Sequence, residues 1–324
     1  MTFPLIWVGG LVTTYDAGMA VPDWPGTYGY NLLRYPWQTW LAGPWDLFIE
    51  HGHRLLGAAA GLLSIALVAV VWLTDRRPWL IAAAFGALGL VVLQGLLGGA
   101  RVVFDARLVA LLHGCVGPLY FAYLAGLIVA TSRWWQAVPH VESTGGARFA
   151  RAAWTTVGIV FVQLVLGAVL RHVPLWASPG VFRAAVLLHL IVAIALTSHV
   201  LFAAVRMRRL PQDAQGLRTP GLLATTLVLV QLLLGAATYV AKYAFPAWLG
   251  DYAFAANFVV QEKSLAQSLI TTAHVANGSL ILFVSVVLAA RSTRLFHVGQ
   301  AASLPLGSLS GQLAACRYGG RAAA

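Results

Sequence analysis

The chain has 324 residues, 60% of them hydrophobic and 10% charged, with a mean hydropathy of +0.79. A soluble domain carries about 25% charged residues, so a water-soluble globule is excluded. The net charge of +11 raises nucleic acid as a partner, but the basic residues sit in short breaks between long apolar runs, where they report topology and anionic lipid instead.

Eight apolar segments follow one another, at roughly 1–14, 51–74, 80–100, 109–132, 153–171, 184–205, 221–241 and 265–290. All but the first approach the ~20 residues that cross a bilayer core. Spanning helices satisfy their own backbone groups, whereas a barrel would show alternating segments of about ten residues. In the first segment only Phe3 to Val12 is clearly apolar. The expectation is a helix truncated at its N-terminus; no basic n-region or small-residue cleavage site marks a signal peptide.

Arg76 and Arg77 lie in the second loop, Arg133, Arg148 and Arg151 in the fourth, and Arg206, Arg208, Arg209 and Arg218 in the sixth; Arg291 and Arg294 follow the last segment. The positive-inside rule places these loops and both termini in the cytoplasm and the odd-numbered loops outside.

The odd-numbered segments repeat a signature: Gln94-Gly-Leu-Leu-Gly98, Gln163-Leu-Val-Leu-Gly167 and Gln231-Leu-Leu-Leu-Gly235. The first segment matches at Gly9 and Gly10, with Leu5 where Gln would stand. Helix packing plus one interhelical hydrogen bond accounts for this motif. Small residues such as Gly57 to Gly61 and Gly95 to Gly99 are expected to permit close packing. Each odd segment is followed by an outer loop and a helix with a histidine near its outer end: His53, His113, His189 and His274.

The fold class is therefore all-α, a polytopic membrane protein with eight helices in two pseudo-symmetric four-helix bundles. The N-terminal half is 1–132, a cytoplasmic linker 133–152, the C-terminal half 153–290 and a disordered cytoplasmic tail 291–324. Cys115 lies in helix four and Cys316 in the tail, so no disulfide is expected.

Ionisable groups inside a membrane are costly and point to function. Two imidazoles facing each other across a bundle supply both axial ligands of a haem, giving the pairs His53 with His113 and His189 with His274. Zinc fits poorly, because thiols are scarce. His199 is about 15 Å deeper than His189 and has no repeat equivalent. His140 and His297 are cytoplasmic, His172 lies in an outer loop, and His51 points to another helix face than His53.

Glu50 precedes His53 by three residues, so the two share a face. A di-iron site needs about four carboxylates, more than the chain's membrane segments offer. The positions matching Glu50 are Ala110, Val186 and Thr271. A carboxylate at one site alone breaks the pseudo-symmetry and suggests that one haem is cofactor and the other substrate; a helix-start carboxylate paired to Arg54 is the structural alternative. Haem propionates want cations, and Arg54, Arg101, Arg107, Arg171, Arg183, Lys242 and Lys263 lie on the outer side.

Gly9-Gly-Leu-Val-Thr13, Gly18-Met-Ala-Val-Pro-Asp-Trp-Pro25 and Glu50-His-Gly-His-Arg54 resemble the haem A synthase family over nearly the whole chain. That resemblance implies oxidation of the C8 methyl of haem O to the formyl of haem A. It implies a haem b cofactor held by His189 and His274, and a substrate site of Glu50, His53 and His113. It further implies a bacterial inner membrane, a haem O synthase and cytochrome oxidase assembly proteins as partners, and oxygen drawn from water. Many relatives carry a cysteine pair flanking the Pro-Asp-Trp-Pro loop; here those positions are Val21 and Thr27, so other contacts must hold the loop, with Tyr28, Tyr35, Trp37 and Trp40 as candidates. A di-haem b-type electron carrier and a transporter with histidine proton relays remain the competing readings.

Overall fold

The computed structural model describes residues 1–174, 176–210 and 212–296. All eight expected segments are helical: α1 Thr2–Thr14, α2 Trp45–Thr74, α3 Pro78–Val103, α4 Arg107–Thr131, α5 Thr144–Arg171, α6 Pro179–Met207, α7 Arg218–Tyr243 and α8 Leu265–Phe296. Seven are long and apolar enough to cross a membrane, α1 being the short one, so the chain is a multi-pass membrane protein. Among the described residues there is no strand, only an isolated bridge between Thr27 and Tyr30.

Most helices outrun their apolar segments, and side-chain caps set the starts of two of them. Ser143 and Ser178 accept hydrogen bonds from Gly146 N and Val181 N at the starts of α5 and α6, satisfying orphan first-turn donors. The linker is thus mostly helical: Arg133–Ala137 forms a short helix and α5 begins at Thr144. The tail expected from 291 begins as helix, since α8 continues to Phe296; the rest of it, with His297 and Cys316, lies outside the described residues. Likewise α2 begins at Trp45, so Glu50 sits in its second turn and not at its start. The helix dipole fades beyond the first turn and leaves that carboxylate to its side-chain partners.

Helices α1 to α4 pack in sequence and α4 returns to α1; α5 to α8 do the same, with α8 returning to α5. The two sets meet where α8 packs on α1 and α4, and α4 on α5. Helix α8 is the most enclosed, burying Ser268, Thr272, Ser279, Ser285 and Ser292. Small polar residues let backbones approach closely. A core cluster joins Ala122 and Ala125 of α4 to Val160, Leu196, Val228, Ile281 and Leu282, and Phe121 meets Phe283 with centroids 4.5 Å apart. Leucines and isoleucines such as Leu62, Leu73, Leu187 and Ile194 point outward, as lipid-facing side chains do.

At the end away from the histidines, the tip of α8 ties down the linker. Arg291 lies over Trp134 at 4.9 Å and donates to Gly216 O at 3.1 Å; Arg294 donates to Trp135 O at 2.9 Å. Cation–π contact plus a hydrogen bond fixes each guanidinium plane.

Candidate functional site

The loop between α1 and α2 folds over the histidine end and is fastened from below by Arg54. Its Nη1 donates to Asp23 O at 2.6 Å and Gly26 O at 2.7 Å, and its Nη2 to Val21 O at 2.7 Å. Nε donates to Glu50 Oε1 at 3.2 Å, and Nη2 lies 3.2 Å from the same oxygen. Four of the five guanidinium donors thus make hydrogen bonds within the protein. Val21 and Thr27 are fully buried. Thr27 Oγ1 bonds His51 Nδ1 at 2.9 Å, and Tyr35 and Trp40 pack on the His51 ring at 5.0 and 5.3 Å. His51 thus serves the loop, on the other face from His53, and Tyr28 packs on Tyr35 at 6.2 Å; Trp37 is exposed. Asp23 accepts from Tyr28 N and Gly29 N at 2.8 and 2.9 Å. Burial raises the Asp23 pKa, but these backbone bonds and Arg54 outweigh it and hold the carboxyl below its ordinary value. The Trp24 indole lies against Gly99, where a Cβ would collide with it.

Glu50 is 2% exposed, and its second oxygen lies 3.4 Å from Arg101 Nη2. Beside it, His53 and His113 have ring centroids 6.3 Å apart, with planes crossed at 83°. Imidazoles sharing one metal through bonds of about 2 Å sit with centroids roughly 6 Å apart, so this pair has the spacing of two axial ligands.

The repeat glycines and glutamines prove to be the histidines' own partners. A Cβ on Gly9, Gly98, Gly167 or Gly235 would lie 2.7, 3.0, 3.5 or 3.1 Å from Cε1 of His53, His113, His189 or His274. Gln94, Gln163 and Gln231 donate through Nε2 to the backbone oxygens of His113, His189 and His274 at 2.9, 3.0 and 3.0 Å. The expected interhelical hydrogen bond therefore exists, and it ends on the histidine. By contrast Gly57, Gly61 and Gly95 have no neighbour within 4 Å of a built Cβ, so they do not mediate helix packing as expected.

Each of the four rings keeps a nitrogen that no protein group uses. His113 Nδ1 bonds Gln94 O at 3.1 Å, which frees Nε2; Nδ1 of His53, His189 and His274 is buried without a partner. Burying an unpaired polar atom costs about 1–3 kcal/mol, so the three buried Nδ1 atoms ask for a ligand. Among the described residues, no cluster of three or more His, Cys, Asp or Glu side chains is arranged for a bare metal ion.

Above the His53–His113 pair, where α1, α3, α4 and α5 end, opens a cavity of about 310 Å³ lined by Thr13, Gly18, Arg101, Arg107, Ala110, Arg171 and His172, with Asp16 and Asp105 at its wall. Arg171 donates to Gly10 O and Thr14 Oγ1 at 2.5 and 2.7 Å, and Arg107 to Val173 O at 2.9 Å. His172 has its pKa lowered to about 4 by burial and by the neighbouring charges of Arg171, Arg101 and Arg107. Arg54 and Arg183 do not line this cavity. Lys263 pairs with Asp16 at 3.6 Å. His199 lies far from these rings, its Nε2 bonded to Ala152 O at 3.1 Å.

Residues 1–178, more than half of the chain, match the cytochrome oxidase assembly protein family. Similar curated proteins are Heme A synthases. That of Symbiobacterium thermophilum is 33% identical over 183 residues, covering 53% of this chain and 56% of that protein. That of Listeria monocytogenes serotype 4a is 31% identical over 137 residues, 41% of each chain, and that of Bradyrhizobium sp. is 35% identical over 131 residues, 37% of this chain and 33% of that one. The chain belongs to the haem A synthase family. It aligns with between a third and a little over half of the length of these relatives. No solved structure matches it.

For this haem A synthase family member, the matched stretch includes Glu50, His53, His113 and the arginine-lined cavity, and stops before His189 and His274. Sequence reasoning missed the bonds from Arg54 to the loop carbonyls and the Gln-to-His contacts. The repeat itself was the available signal for the latter: Gln and His recur together in three helix pairs.

Proposed function

We propose that this protein oxidises the C8 methyl of haem O to the formyl group of haem A, in a bacterial plasma membrane with both termini cytoplasmic. The observation that carries this reading is the buried Glu50 beside the His53–His113 pair. Two pseudo-symmetric four-helix halves, 1–132 and 153–290, each present two histidines, but only the first adds a carboxylate. In this reading His53 and His113 hold the substrate haem, and His189 and His274 hold a haem b cofactor through ring nitrogens the protein leaves unused. That cofactor, when bound, supplies one-electron transfer to an outside acceptor.

The conversion R–CH₃ + H₂O → R–CHO + 4 H⁺ + 4 e⁻ proceeds through an alcohol in two two-electron steps. Glu50 takes a proton, or its carboxylate stabilises positive charge on the methyl carbon as water adds. Arg54 and Arg101 keep that carboxylate fixed in the pocket. Arg101, Arg107 and Arg171 face the cavity and receive the propionates, with neutral His172 at its edge. Arg54, a candidate for that role by charge alone, spends four of its five donors on the loop and Glu50 and does not line the cavity. A haem O synthase upstream and cytochrome oxidase assembly factors downstream complete the setting. The test is HPLC of pigment extracted from protein purified out of cells making haem O. Haem O or A alongside haem b is expected; haem b alone would make the protein an electron carrier.

A further inference from the structure

Three of the four histidines are braced at the backbone and one is not. Gln94, Gln163 and Gln231 each reach the carbonyl of the histidine on the following helix. A small residue stands four places after each of these histidines, beside the glutamine amide. A Cβ on Gly117 would lie 3.2 Å from Gln94 Nε2, and one on Gly278 3.5 Å from Gln231 Nε2. The third such position is Ala193.

For His53 the small residue is present, as Gly57, but the glutamine is replaced by Leu5. No atom lies within 4 Å of a Cβ built on Gly57. Leu5 packs instead into the apolar cluster around Ala60, Ala87, Val91 and Tyr120. The rings do not make this difference, since Nδ1 is without a partner in His53, His189 and His274 alike; what His53 alone lacks is the bond to its carbonyl that the other three receive.

We propose that Gln94, Gln163 and Gln231 are positioning residues that hold their histidines as permanent ligands, and that unbraced His53 is the exchangeable ligand through which haem enters and leaves the N-terminal site. This rests on the two-haem reading above. A transforming site must release its product, and a ligand free of its brace swings away at the lowest cost, while a resident cofactor needs both of its ligands fixed.

The test uses full-length, haem-loaded protein in detergent, with excess apomyoglobin as haem acceptor and the Soret band as readout. Two phases of haem loss are expected, the faster from the N-terminal site. Leu5→Gln has the open space over Gly57 to reach the His53 carbonyl and is expected to slow the fast phase about fivefold, the effect of one ordinary hydrogen bond; Leu5→Met is expected to leave it unchanged. A merely disruptive substitution speeds haem loss, so slowing is diagnostic. Gln163→Met and Gln231→Met are expected to speed the slow phase by a similar factor, and they decide the matter if Leu5→Gln does not fold. A two-haem protein whose rates stay within twofold in all variants overturns this inference alone. Purified protein without a Soret band overturns the haem reading itself.

Discussion

Arg54 joins Glu50 to the loop above it: the guanidinium lies 3.2 Å from the carboxylate and holds three loop carbonyls at 2.6 to 2.7 Å. The pair is buried, so removing one partner leaves an under-compensated charge. Arg54→Met leaves Glu50 with Arg101 alone, at 3.4 Å, and frees the loop. The expected cost is roughly 3 kcal/mol, read as a drop of several degrees in thermal midpoint in detergent. Arg54→Lys keeps the charge but not the fork and is expected to fall between. An unchanged midpoint in Arg54→Met would show that the loop is held elsewhere.

Glu50→Gln keeps the volume and removes the charge. Arg54 retains its three carbonyls, and the His53–His113 pair is untouched, so haem content is expected to match the wild type. Formyl production is expected to stop, at least a hundredfold down, since proton handling of this kind contributes about 10²–10⁴ in rate. Extracted pigment would then hold haem O and haem b without haem A. A normal yield of haem A from this variant would remove Glu50 from the chemistry.

The seven long spans and the four histidines were legible in the sequence, because bilayer thickness imposes a length and the internal repeat aligns His53, His113, His189 and His274. Helix ends were less so: Ser143 and Ser178 set the starts of α5 and α6 through hydrogen bonds that no hydropathy window registers. Arg54 and Arg101 look alike as outer-side cations, yet one holds three backbone oxygens of the loop and the other faces a cavity. That difference arises from how the loop folds over α2, a contact between residues about thirty apart in sequence. The Gln repeat was visible, but its bond to the histidine carbonyl exists only once neighbouring helices pack.

His51 and His53 are two residues apart and do different things. His51 bonds Thr27 and supports the loop that folds over α2. His51→Phe is expected to cost about 1–3 kcal/mol in stability, as Thr27 loses its buried partner, with haem stoichiometry unchanged. His53→Ala is expected to lose the N-terminal haem with a smaller effect on the loop. Haem-to-protein ratios beside thermal midpoints separate the two; loss of haem from His51→Phe with an unchanged midpoint would reverse the assignment.

His172 is held neutral, with a pKa of about 4 against an ordinary 6.5, by burial and then by Arg171, Arg101 and Arg107. Between those values the unfolded chain binds a proton that the folded one refuses, so stability rises with pH across this window. The contribution is complete above pH 6.5 and is lost as pH falls towards 4. His172→Gln is expected to flatten the thermal midpoint over this range. A carboxylate-bearing ligand in the cavity is expected to raise the His172 pKa and shift the window upward, since it offsets the three arginines. An equally steep profile in His172→Gln would assign the dependence to another group.

The glycines facing the four imidazoles make a graded series. On Gly9 a Cβ would stand 2.7 Å from His53 Cε1, on Gly98 3.0 Å from His113, on Gly235 3.1 Å from His274, and on Gly167 3.5 Å from His189. The first distance forces a shift, the middle two demand that the ring yield by a few tenths of an ångström, and the last is ordinary van der Waals contact. Overpacking of this kind costs about 1–3 kcal/mol where neighbours are fixed. Alanine substitutions are therefore expected to lower haem retention most at Gly9, less at Gly98 and Gly235, and not at Gly167. Gly57→Ala, which enters open space, serves as the neutral control. The measurement is haem per protein after size-exclusion chromatography, site by site from the visible spectrum. Equal retention across the series would mean that the rings move freely and that the glycines do not set their positions; greatest loss at Gly167 would mean that the haem itself, not the imidazole, is what the glycine accommodates.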